Sequence, residues 1–323
     1  GRWMDVHGEA IHGTTGSPIG RPSWGRCTAK EHGDTTTLYL HVFDPPEDGG
    51  LVLPGLGNTV RNVRLLGHPD AKIEIERGDS SLVVRLPRGV TDAACSVVAL
   101  ELDGAPLVYR PPSIQTAADI FLGRTRVALE GEKGLVTRYT VDGSEPTVDA
   151  IAYDRPFEIR ETTTVRARSF HGDRPVGEIA ERTLRRVEPI TACDPERPES
   201  GVVREVFEGV WDTLPDFATM TPVARSVEPR LRLRAEDRRE HVGVRFSAYI
   251  RVDAGVHRFR LTSDDGSRLL VGGSVVIDND GLHGPRAREG ERAGRGRLPE
   301  EVPGGLPYNP LKTPESRRTE DAC

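Results

Sequence analysis

Residues able to do chemistry are sparse in this chain, and they gather in three short stretches. Close to the start, Glu9 stands between His7 and His12. A carboxylate there can pass a proton or anchor local backbone, and the anchor is the stronger reading. In the middle, Asp142-Gly143-Ser144 reads as a tight turn in which Asp142 accepts hydrogen bonds from the amides that follow. Later, Asp264-Asp265-Gly266 reads first as a β-turn whose aspartates bond backbone amides. The cysteines, Cys27, Cys95, Cys193 and Cys323, lie far apart, with no CxxC and no Cys/His metal spacing. They read as buried free thiols, with a single disulfide as the alternative.

These residues need elements to hold them. The chain has 323 residues, 36% hydrophobic and 29% charged, with 35 Gly and 25 Pro. That balance gives thin cores, many turns and short strands, and room for two or three domains. A net charge of −6 with few aromatics leaves no footprint for nucleic acid. No apolar run reaches transmembrane length, so no membrane insertion is expected.

Residues 1–14 carry Trp3, Met4 and Val6 and stop at Gly8, as an amphipathic helix would. Residues 15–30 read as an irregular link. In Thr36–Phe43, Leu38, Leu40 and Val42 share one face and Tyr39, His41 and Phe43 the other. Both faces are largely apolar, so this strand should be central and covered on both sides. Asp44-Pro45-Pro46 ends it.

Short strands follow over 51–53, 60–66, 72–76, 82–86 and 96–102, then over 127–130, 135–140, 156–159, 163–170 and 179–183. In the 163–170 strand, Val165, Ala167 and Ser169 should face inward. A third β unit starts near Gly201, with strands at 255–262 and 268–271. From Pro285 onward the chain is rich in Arg, Gly, Glu and Pro, without an apolar alternation. The expected fold is all-β: tandem antiparallel β-sandwich modules behind a short N-terminal helical stub. Residues 1–30 form the stub and link, 31–112 and 113–188 two sandwiches, 189–200 a linker and 201–284 a third β domain. Residues 285–323 are expected to be disordered or read out of frame.

Three segments resemble known families. Gly1-x-Trp3-Met4, Gly8-Glu9-Ala10-Ile11-x-Gly13-Thr14, Trp24-Gly25-Arg26-x-Thr28 and Tyr39-Leu40-His41-Val42-Phe43-Asp44-x-Pro46 resemble the end of the catalytic barrel and the following sandwich of family 29 α-L-fucosidases. His7 stands where that family commonly has Asn, His12 where it has Tyr, and Pro45 where it has Trp. Tyr139-Thr140-x-Asp142-Gly143-Ser144-x-Pro146 and Thr162–Phe170 resemble the chitobiase/β-hexosaminidase C-terminal type of sandwich. Gly209-Val210-Trp211, Gly243–Ile250, Gly255–Leu269 and Val276–Gly281 resemble a PA14 module.

The first resemblance implies a (β/α)₈ barrel that hydrolyses α-L-fucosides with retention. Retention takes two carboxyl groups about 5–5.5 Å apart, and the family's nucleophilic Asp belongs to an earlier barrel strand outside this sequence. The stretch 1–14 is therefore expected to be the edge of a catalytic barrel, poorly anchored in isolation, and the chain the back half of a larger, exported enzyme. Glu9 is the weak catalytic candidate, and His7 and His12 are weak candidates for contact with sugar. The PA14 resemblance implies that Asp264 and Asp265 hold Ca2+, a hard cation suited to oxygen ligands. The reading that follows is the C-terminal accessory region of an α-L-fucosidase, inactive by itself and meeting fucosylated glycans through its parent enzyme. The alternative is a free-standing carbohydrate-binding or adhesion protein.

Overall fold

The computed structural model describes residues 1–87, 89, 92, 94–190, 200–234, 237 and 241–294, and the backbone of 309–316. Its regular structure is mostly β-strand in mainly antiparallel sheets, with one short α-helix, α1 (Arg2–His7), at the front. The chain divides into two compact units. The first holds Gly1–Gln115, Arg126–Phe157 and Thr163–Thr183; the second holds Thr116–Thr125, Glu158–Thr162 and Leu184–Cys323.

In the first unit, β1 (Gly25–His32), β2 (Thr35–Val42), β3 (Gly50–Pro54), β4 (Val60–Leu65), β5 (Glu74–Arg77), β6 (Ser81–Arg85) and β7 (Ser96–Asp103) form two sheets, ordered β1-β2-β7-β4 and β3-β6-β5. Strand β2 is buried along its whole length. Leu38, Leu40 and Val42 pack into a core with Leu51, Leu53, Leu82, Val84 and Leu100. Tyr39, on the opposite face, packs with Ala10, Leu66, Val97 and Trp3. Phe43, one residue past the strand, is exposed. The expected link over 15–30 ends in strand β1, which pairs with β2 residue for residue from Gly25↔Val42 to His32↔Thr35. Gly25 is required there, because a side chain would collide with the carbonyl of His41.

The next strands are β8 (Ser113–Gln115), β9 (Ile120–Phe121), β10 (Thr125–Glu130), β11 (Val136–Thr140), β12 (Ile151–Ala152), β13 (Phe157–Ile159), β14 (Thr163–His171) and β15 (Arg174–Arg186). Their sheets run β13-β10-β8 and β12-β11-β14-β15-β9. Val165, Ala167 and Ser169 are fully buried, as their alternation predicts.

The remaining strands belong to the second unit: β16 (Val202–Glu208), β17 (Ala224–Glu228), β18 (Val242–Ile250), β19 (Gly255–Ser263), β20 (Ser267–Val271), β21 (Ser274–Asn279), β22 (Arg286–Gly294) and β23 (Asn309–Ser316). Arg204 of β16 is buried in an ion pair with the buried Asp237, which also accepts from the amide of Arg234. A buried charge needs such pairing, so Asp237 ties its loop to the sheet.

The expectation for 285–323 is corrected over 286–294 and 309–316, and residues 295–308 and 317–323 lie outside the described residues. Residues 286–294 form β22, paired with β19 along all nine positions from Gly255↔Gly294 to Ser263↔Arg286. The backbone of β23 pairs with β18 and β20. Leu261, Leu269, Val271 and Ile277 are consequently buried together. The pattern of β22 hid its nature because its inward position is a glycine. Gly290, opposite Phe259, leaves no room for a side chain beside the Val276 carbonyl and Ile277. Of its two charged neighbours, Glu291 pairs with Arg258. The expected linker over 189–200 falls largely outside the described residues. Ile190 within it donates from its amide to the Ala293 carbonyl at 3.0 Å.

Candidate functional site

The N-terminal candidates are held by α1, the short turn Gly8–Ala10 and the upper face of β2. Trp3 donates from Nε1 to the carbonyl of Cys95 at 2.9 Å. His7 stacks on Trp3 with ring centroids 4.6 Å apart. Its Nδ1 lies 3.0 Å from the Trp3 carbonyl and its Nε2 3.2 Å from Asp92 Oδ2, and the ring is buried. This is a correction to the expectation of a loosely held stub: the helix is clamped to the sandwich. Val6 and Ile11 remain exposed.

Glu9 makes a two-pronged ion pair with Arg64, at 2.8 and 3.0 Å, and takes a longer bond from the Tyr39 hydroxyl at 3.4 Å. The Arg64 guanidinium holds the Glu9 carboxyl below its ordinary range against the opposing effect of burial. Burial, then the Glu9 charge, raise the Tyr39 phenol. A general acid needs its pKa raised toward the working pH, so this carboxylate is set to anchor rather than to donate a proton. Its partners are side chains on β2 and β4, where local backbone is the expectation from sequence. His12 is exposed, and its carbonyl accepts from Lys30 Nζ at 3.4 Å.

Sequence reasoning missed the partners of this cluster. Thr28 Oγ1 donates to the Ala10 carbonyl at 2.8 Å and stands 3.0 Å from His41 Nε2. Burial pushes His41 below its ordinary pKa. The available signal was the alternation that put Tyr39 and His41 on a covered face, without showing that residues 1–14 supply the cover.

In the second unit Asp264 and Asp265 are half-buried in the turn between β19 and β20. A buried polar hub props that turn. Ser263 and Ser267 hydroxyls lie 2.5 Å apart, and Asn279 donates to Ser263 Oγ at 2.7 Å. Arg286 closes the hub by donating from Nε to Asn279 Oδ1 at 2.6 Å. Asp280 lies against Gly266, but its oxygens are committed to the amides of Leu214 and Gly281 and to Arg268. Ca2+ takes six to eight oxygens. Among the described residues no three His, Cys, Asp or Glu side chains are grouped to hold a metal ion.

The Asp142 turn is as expected: its carboxylate accepts from the Ser144 amide at 3.0 Å and the Ser144 hydroxyl at 2.6 Å. Arg168, buried in β14, reaches Glu145 at 2.9 Å and pins the far side of the turn. Residues 116–181 match the chitobiase/beta-hexosaminidase C-terminal domain. Residues 229–301 match the PA14 domain. The PA14 match takes in the whole of β22, in keeping with its pairing to β19. No curated protein matches the chain.

Among solved structures, an α-L-fucosidase from Vibrio sp. strain EJY3 is similar over 97% of this chain and 39% of its own, at 15% identity and a TM-score of 0.32. The chain thus spans well under half the length of that enzyme. An anti-sigma factor domain-containing protein is similar over 92% of this chain and 86% of its own, at 10% identity and a TM-score of 0.24. Another, from Clostridium clariflavum, is similar over 88% and 76%, at 12% identity and a TM-score of 0.23.

Proposed function

We propose that this chain is a carbohydrate-directed accessory region of a glycoside hydrolase of the α-L-fucosidase type, and does no hydrolysis by itself. One observation carries the reading. Three of the four segments that resemble the fucosidases, around Glu9, Thr28 and Tyr39, meet in one interface through Glu9–Tyr39, Thr28–Ala10 and Thr28–His41. A shared pattern in touching residues is a pattern of packing, and here it joins a helix end to a sandwich. The match of 116–181 to a domain family named for chitobiase and hexosaminidase supports the carbohydrate setting. Glu9 is committed to Arg64 and Tyr39, an arrangement suited to anchoring.

The test is an assay on an aryl α-L-fucoside. The chain should give no turnover above buffer. Turnover by the chain that disappears in Glu9→Gln overturns the reading.

A further inference from the structure

The second unit contains a cleft of about 630 Å³ between the end of β15, β9 and the strands β21 and β22. Its walls carry three guanidinium groups, Arg185, Arg258 and Arg292, and three acids, Asp119, Glu289 and Glu291. The charges balance, and their state of use is uneven. Glu291 is spent: Oε1 takes Arg258 at 3.0 Å and Oε2 takes the amide of Asp119 at 2.9 Å. That pair ties β22 to the residue before β9 and fixes the floor. Arg292 donates from Nη2 to Ser274 Oγ at 3.3 Å, while its buried Nε has no partner. Arg185 and Glu289 are exposed, and neither side chain is joined to another among the described residues. Val187 and Val276 add apolar surface between the charges.

We infer that this cleft binds a neutral sugar. Guanidinium groups only donate hydrogen bonds and carboxylates only accept them. A ligand that satisfies Arg185 and Arg292 on one side and Glu289 on the other must accept and donate at neighbouring atoms. Adjacent hydroxyls on a pyranose ring do both, and the C–H faces of the ring suit the valines. An anionic ligand meets Glu289 and Glu291, and a cationic one meets the three arginines, so balanced walls favour the uncharged ligand. The volume lies within the range of about 300–1,000 Å³ typical of small-molecule sites. The inference rests on the carbohydrate reading above and gives it a place on the chain.

The experiment is calorimetric titration of the full chain with 2′-fucosyllactose, N,N′-diacetylchitobiose and glucuronate, repeated on Arg185→Ala and Glu289→Ala. Both positions are exposed, so the variants should fold, which circular dichroism checks. At least one neutral sugar should bind, with each variant about tenfold weaker, the loss expected of one charge-assisted hydrogen bond. Binding that is unchanged in both variants, or glucuronate bound as tightly as the neutral sugars, overturns the cleft and leaves the carbohydrate reading standing. Failure of both neutral sugars at millimolar concentration overturns the cleft and counts against that reading as well.

Discussion

Glu9 and His41 make the clamp on α1 sensitive to acid, and the sign is the same for both. Each binds a proton more weakly in the folded chain than in the unfolded one: Glu9 because Arg64 favours its charged form, His41 because burial disfavours its charged form. The His41 contribution is complete above the ordinary value of 6.5 and is lost as pH falls through the lower folded value. The Glu9 contribution is complete above 4.5 and is lost at still lower pH. The Trp3 indole N–H resonance, held by the Cys95 carbonyl, should therefore weaken in two steps on acidification. Glu9→Gln should remove the lower step alone and cost about 0.5–1 kcal/mol, since the ion pair is half exposed. At Asp264 and Asp265, titration of folded chain with Ca2+ should give no heat. Binding abolished by Asp264→Asn with Asp265→Asn would show that the arginine beside Asp280 yields to the cation.

Strand β22 is the element whose removal should matter most in the second unit. A chain ending at Gly284 loses the partner of β19 and uncovers Leu261 and Phe259. It should aggregate and lose near-ultraviolet circular dichroism, whereas in the full chain the amides of 286–294 that bond to β19 should exchange slowly. Native near-ultraviolet signal in the shortened chain would show that β22 is dispensable. The same strand marks the limit of reading from sequence. Strands with one apolar face, such as 163–170, announce themselves through Val165 and Ala167. Strand β22 keeps glycine at the crowded position 290 and offers only Ala287 and Ala293 as apolar residues, so its period carries little hydrophobic signal. The covered faces of β2 were legible; the identity of the cover was not, because Trp3 and Ala10 reach it from outside the sheet. Of the candidate site residues, Glu9 was legible as an anchor, while its partners Arg64 and Tyr39 lie too far along the chain for spacing to reveal them.

At the scale of the molecule, two compact units share one economy of means: thin cores supplemented by ion pairs. Arg204–Asp237 in one unit and Arg64–Glu9 in the other each fasten a segment to a sheet. The two fastenings differ in depth. The first is buried and the second half exposed, so high salt should loosen α1 while sparing the Arg204–Asp237 pair.

That difference gives the chain a built-in clock. Cys95 lies under Trp3, with its thiol pushed by burial up to about 11, whereas Cys27 lies in the opposite core with its thiol at about 12. A thiolate is the reactive form, so neither should react with a disulfide reagent while covered. Lifting α1 uncovers Cys95 alone; Cys27 waits for the sandwich itself to open. With Cys193 and Cys323 replaced by Ser, labelling of Cys95 should outpace that of Cys27 and quicken with salt or with Glu9→Gln. Equal rates would mean that helix and sandwich open as one. The ratio of the two rates is then a stopwatch reading of how often the helix lets go.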